Sequence, residues 1–162
     1  MNKIKSINNE DYILDISNAL KYHMDLIDKD FSDINIVCIG TDKSISDSVG
    51  PFIGSFLDKE FNNIYGTLKE PIHAMNIYDR LEEIDLENNL IIAIDACLSN
   101  DIDDLYNITI ENVPIKPGLG VGKTLPPVGD ISIKVNIGKE LDSIFESKNN
   151  RIYDIIETAR KV

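Results

Sequence analysis

The chain has 162 residues, 43% of them apolar and 27% charged, which suits one globular domain and is too apolar for a disordered chain. Lys and Arg number 16 against 28 Asp and Glu, a net charge of −12 that argues against a partner with a nucleic-acid backbone or an anionic membrane surface. Two cysteines make no disulfide framework, no apolar run is long enough to span a membrane, and residues 1–9 lack a hydrophobic leader, so the expected setting is a reduced cytoplasm.

In chain order, residues 1–8 read as a flexible N-terminal arm and residues 9–162 as a single α/β domain. Ile13, Ile16, Leu20, Met24 and Ile27 recur at helical spacing and predict an amphipathic helix over 10–28, capped by Asn8 or Asn9. His23 lies near that stripe and reads as a helix-edge residue. Residues 34–39 (INIVCI) predict a buried strand ended by Gly40, with Cys38 a small core side chain. After a polar loop, Val49, Ile53, Phe56 and Leu57 predict a helix. Ser46 or Asp47 would cap it, and Pro51 fits its first turn, where no helical N–H bond is lost.

A short strand is expected at 64–66, a loop at 67–76 broken by Pro71, and a short helix through Ile77, Leu81 and Ile84. Residues 90–95 (LIIAID) are the second buried strand, and 105–113 alternate in part as another. Residues 114–129 hold Pro114, Pro117, Gly118, Gly120, Gly122, Pro126, Pro127 and Gly129, a long shaped loop of the kind that often carries function. Ile131, Ile133 and Val135 predict a last strand, and Ile152, Ile155, Ile156 and Ala159 a closing helix. Strands alternating with helices imply a three-layer α/β/α sandwich with a mostly parallel sheet.

Ligands of such sheets sit beyond the carboxyl ends of the strands. Asp47 follows the first buried strand, and Asp95 ends the second. A carboxylate finishing an apolar run is costly unless solvated, paired or used. If the two strands are neighbours, the carboxylates converge. Like charges then push one pKa up, and the pair divides into a base and an acid, the equipment for hydrolysis. The plainer alternative makes Asp47 a helix cap and Asp95 a hydrogen-bonded strand end.

Other motifs carry less. Gly122-Lys123-Thr124 would end a phosphate loop only if residue 117 were Gly, and it is Pro117; Pro126-Pro127 also forbids the helix such a loop must open. The glycines of this stretch suit a tight turn or close passage of the backbone past a ligand. His73 could join Asp47 and Asp95 in a two-carboxylate, one-histidine metal site, or simply be a loop histidine. Cys97 would need His73 as its base to act as a nucleophile, and otherwise reads as structural.

These motifs together carry a resemblance. Residues 38–44, Asp47-Ser48-Val49-Gly50-Pro51, residues 65–68, Pro71-Ile72-His73-Ala74, Ile94-Asp95-Ala96-Cys97-Leu98, residues 117–123 and residues 125–131 look like the sporulation protein YyaC family. That family is similar to the germination protease of spores and, more distantly, to the hydrogenase maturation proteases. The resemblance implies the hydrogenase maturation protease-like, phosphorylase/hydrolase-like sandwich. It carries the atypical aspartic pair of the germination protease onto Asp47 and Asp95, and it implies a substrate site lined by Thr41, Asp42, His73, Gly118, Gly120 and Gly122. In the first loop Ile45-Ser46 stands where Thr-Gly is expected.

The sequence therefore leads to an aspartic-type endopeptidase of a spore-forming bacterium, without cofactor, acting in the cytoplasm of the forespore. Its partner would be a peptide or protein, with small acid-soluble spore proteins the substrate that the resemblance suggests. Two alternatives stand beside it: an inactive sporulation protein that binds a peptide in the same cleft, and a metal-dependent hydrolase using Asp47, Asp95 and His73.

Overall fold

A computed structural model describes residues 2–4, 11–99, 105–118, 122, 125–139 and 151–162. Its elements run β1 (Asn2–Ile4), α1 (Tyr12–Asp25), β2 (Ile34–Cys38), α2 (Val49–Leu57), β3 (Ile64–Tyr65), α3 (Ile77–Glu82), β4 (Leu90–Ser99), β5 (Ile108–Glu111), β6 (Ile131–Lys139) and α4 (Ile152–Lys161). A single 3₁₀ turn, Ser46–Ser48, leads into α2. The strands form one sheet in the order β1-β5-β6-β4-β2-β3. Pairings β3–β2, β2–β4 and β4–β6 are parallel, and β5 joins β6 antiparallel. The two predicted buried strands are thus immediate neighbours at the centre.

Alternation along the strands splits the core in two. Leu90, Ile92 and Ile94 of β4 and Ile131, Ile133, Val135 and Ile137 of β6 face α1, α2 and α4 through Ile16, Ala19, Val49, Ile53, Ile155 and Ala159. The opposite positions, Val37 and Ile39 with Ile91 and Ala93, pack on Ile72, Ile77, Leu81, Ile84, Ile115 and Val128. Each of the Val, Leu and Ile side chains among them contributes about 1.5–3 kcal/mol on burial. The second face is covered by one short helix and by irregular segments, among them residues Ile115 and Val128, which pair as an antiparallel bridge.

Four expectations are corrected. Residues 2–4, assigned to a flexible arm, pair with Ile108–Ile110 of β5 as a sheet edge. Strand β4 does not stop at Asp95 but continues to Ser99, because β6, itself longer than expected, pairs with it from Ile131 to Lys139. Ser48, without a side-chain capping bond, is the cap residue of α2, so neither Ser46 nor Asp47 holds that position. His23 is buried at 3% exposure rather than set at a helix edge. Its Nδ1 meets Asn112 Oδ1, while Asn112 Nδ2 donates to the His23 carbonyl at 2.8 Å. The expected caps of α1, Asn8 and Asn9, lie outside the described residues.

Candidate functional site

The site forms where β2 ends early and β4 runs on. The Ile39 N–H donates to the Ile94 carbonyl at 2.7 Å, and the Gly40 N–H to the Ile72 carbonyl at 2.8 Å. Gly40 therefore sits between Asp95, which follows Ile94, and His73, which follows Ile72. The chain then folds back on itself. The Thr41 N–H donates to the Asp47 carbonyl at 3.0 Å, and a Cβ on Gly40 would lie 2.0 Å from that carbonyl oxygen, at a φ of +146°. Only glycine permits this approach. A Cβ on Gly50 would likewise strike the Ile39 carbonyl at 2.1 Å. Together these two glycines seat the 3₁₀ turn on the end of β2, and the turn also packs on β4. Backbone contacts of Gly40, Thr41 and Gly50 thus bring the turn that carries Asp47 to the end of β2, beside β4.

The two carboxyls differ. Asp47 is exposed, yet the protein on its inner side removes enough water to raise its pKa above the ordinary value. Asp95 is partly buried. Loss of water around its carboxyl pushes its pKa up to about 8. The Ala96 N–H works against that shift, and the negative charge of Asp47 adds to it. Desolvation is the dominant cause, and the like charge the smaller one. Asp95 is protonated through neutrality, while Asp47 faces water.

The remaining predicted residues fall around this pair or away from it. Thr41 fastens the loop, since its Oγ1 accepts the Lys43 N–H at 3.3 Å, and Asp42 is exposed beside it. The His73 Nδ1 accepts the Met75 N–H at 3.2 Å, so the ring proton belongs on Nε2. The His73 backbone N–H donates to Asn76 Oδ1 at 2.9 Å. Among the described residues no three His, Cys, Asp or Glu side chains come together as a metal site requires. Gly118 and Gly122 take left-handed backbone at φ 77° and 68°, in the loop that the Ile115–Val128 bridge closes at its base. A Cβ on Gly122 would meet nothing within 4 Å. Gly120 lies outside the described residues. Cys97 is a half-buried thiol of β4. Cys38 is fully buried, its thiol pushed up to about 12 by burial, as a core residue should be.

One pair escaped the sequence reading. Lys134 of β6 is the register partner of Asp95, so the two share a sheet face. Its ammonium is engaged by Glu111 of β5 at 2.8 Å. The signal was present in the alternation of β6: the apolar residues 131, 133 and 135 face the helices, which sends Ser132, Lys134 and Asn136 to the side of Asp95.

The fold is that of an α/β sandwich with two carboxyls at the carboxyl edge of its central strands. The chain belongs to the family described as "Protein of unknown function (DUF1256)", whose model matches residues 4–162. It is 39% identical over 134 residues to "Uncharacterized protein YyaC" of Bacillus subtilis (strain 168), an alignment covering 78% of this chain and 64% of that protein. The chain thus spans less than two thirds of that relative's length.

Proposed function

We propose that the chain is an aspartic-type peptidase in which Asp47 is the base and Asp95 the acid. The observation that carries this reading is the divided pair: a carboxyl at the end of a central strand holding its proton to about 8, with a second, water-facing carboxyl close enough to contribute to that shift. In the reaction, the Asp47 carboxylate takes a proton from water as the water oxygen bonds to the scissile carbonyl carbon. Asp95 gives its proton to the amide nitrogen as the C–N bond breaks, leaving a new carboxyl and a new amine. Proton exchange with solvent then resets the pair. General acid and base catalysis of this kind contributes about 10²–10⁴-fold each.

The negative surface, −12 over the chain, suits a basic unfolded substrate and predicts association that weakens with salt. A role in sporulation or germination, a forespore location and small acid-soluble spore proteins as substrates rest on the resemblance to the germination protease. Among the described residues no helix is long and apolar enough to cross a membrane. The test is incubation of the purified chain with a small acid-soluble spore protein, read by mass spectrometry. Cleavage lost in both Asp47→Asn and Asp95→Asn supports the reading. Binding without cleavage in all three proteins would replace it with a peptide-binding module.

A further inference from the structure

Beyond Ile94, β4 loses its neighbour on one side. Its ladder with β2 ends at Cys38 opposite Ile94, and the last bond across is from the Ile39 N–H to the Ile94 carbonyl. On the other side, β6 accompanies β4 to Ser99. Backbone groups of a strand point alternately to its two neighbours. Ile94 points to β2; the register shift between Cys97 and Leu98 skips Ile137 of β6 and no residue of β4, so Ala96 and Leu98 keep the direction of Ile94, into the place β2 has left, while Asp95, Cys97 and Ser99 point to β6. The Ala96 N–H turns to the Asp95 carboxyl. The Ala96 carbonyl and the Leu98 N–H and carbonyl follow it along this edge. Among the described residues no strand pairs there. The Leu98 side chain is 37% exposed, and Ile45, two residues before Asp47, is 47% exposed.

We propose that an extended polypeptide adds to this edge as a strand, held by the backbone of Ala96 and Leu98, and so is drawn past Asp95 and Asp47. Strand addition of this type recognises main chain, with side chains read only at alternate positions. The occupant is a polypeptide with basic and apolar residues in alternation. The exposed Asp42 and Asp47 and the net charge of −12 supply the complement for the first, and Leu98 and Ile45 for the second. The inference deepens the peptidase reading by naming how its substrate is held, and it rests on that reading only for what happens after binding.

The probe is a fluorescein-labelled decapeptide of alternating Lys and Val, added to the full chain carrying Asp95→Asn so that nothing is cleaved. Two relatives of the probe carry N-methyl groups on every Lys or on every Val. One of them should lose binding at least tenfold and the other keep it, because only alternate N–H groups face the edge. In hydrogen exchange the Leu98 amide should become protected when the probe is added, and Leu98→Pro should weaken binding at least tenfold. Should that variant misfold, the N-methyl pair still decides. Equal effects of the two methylated peptides, failure of the probe to bind, or protection of Leu98 that rises with protein concentration alone, as pairing with a second copy would give, each overturn the proposal. Unequal effects alongside a wild-type chain that cleaves nothing would remove the peptidase and leave strand addition standing. Cleavage requiring both aspartates, with equal methylation effects, would do the reverse.

Discussion

The two ends of the central strands treat the same side chain in opposite ways. At the amino end, aspartates are saturated with donors. Asp130 accepts the Ile91 N–H at 2.9 Å and Lys29 Nζ at 3.3 Å. Asp33 accepts the Ile34 N–H at 2.8 Å and Asn63 Nδ2 at 2.7 Å. Asp85 accepts the backbone and side-chain N–H groups of Asn88 and the Glu87 N–H, and these bonds hold its pKa below the ordinary value. At the carboxyl end, Asp95 has the Ala96 N–H and little water, and its pKa moves the other way. Carboxylates that tie loops to strands are satisfied by donors, whereas burial governs Asp95, the setting that the proposed proton transfer would use.

The comparison can be broken by exchanging the chemistry of each end. The largest effect is expected in peptide hydrolysis, where Asp47→Asn and Asp95→Asn should each lower kcat/KM by about a thousandfold, whereas Asp130→Asn at the other end should leave it within a few-fold. Assay of the three variants on one substrate checks this. Stability should respond in the reverse sense. Folded Asp95 keeps its proton to about 8, while in the unfolded chain it releases it near 3.8. The folded state therefore holds more protons in that interval. The stability tied to Asp95 is fully present below about 3.8 and is lost as pH rises through about 8. Asp95→Asn removes the penalty, and urea unfolding should find it more stable than wild type at pH 8 by on the order of 5 kcal/mol, with little difference at pH 4.

Asp130→Ala leaves the Ile91 N–H without its acceptor and should cost about 1–2 kcal/mol at neutral pH, measured by the same unfolding curves. The smallest effect belongs to Asp85→Asn on the surface. Because its folded pKa is lowered, its contribution is present above the unfolded value and lost as pH falls through the folded one. The melting temperature should drop slightly at pH 7 and be unchanged at pH 2.

How much of this could be read beforehand depends on how local the cause is. INIVCI and LIIAID announce central strands because both faces are buried and both faces are apolar. Asp95 is visible as the charge that ends such a run. Asp47 stood out by its place after the other run and by family resemblance. Its true setting, a 3₁₀ turn ahead of the helix cap, depends on Gly40 and Gly50 meeting backbone that is distant in the sequence. The extension of β4 through Ala96, Cys97 and Leu98 has no strand pattern of its own and is imposed by β6. β1 is three residues long and exists only because β5 offers an edge. Lys134 and Glu111 are hard to read from the sequence because the strand signal of β6 lies in its apolar half, and the salt bridge depends on the antiparallel pairing of β5 with β6.

The proposed peptidase requires residues 47 and 95 to act on each other across one site. A ¹³C NMR titration of the side-chain carboxyl of Asp95, in wild type and in Asp47→Asn, tests it most directly. The wild-type midpoint should lie near 8 and fall when the charge at 47 is removed. A midpoint in the usual carboxylate range, or one indifferent to residue 47, would contradict it.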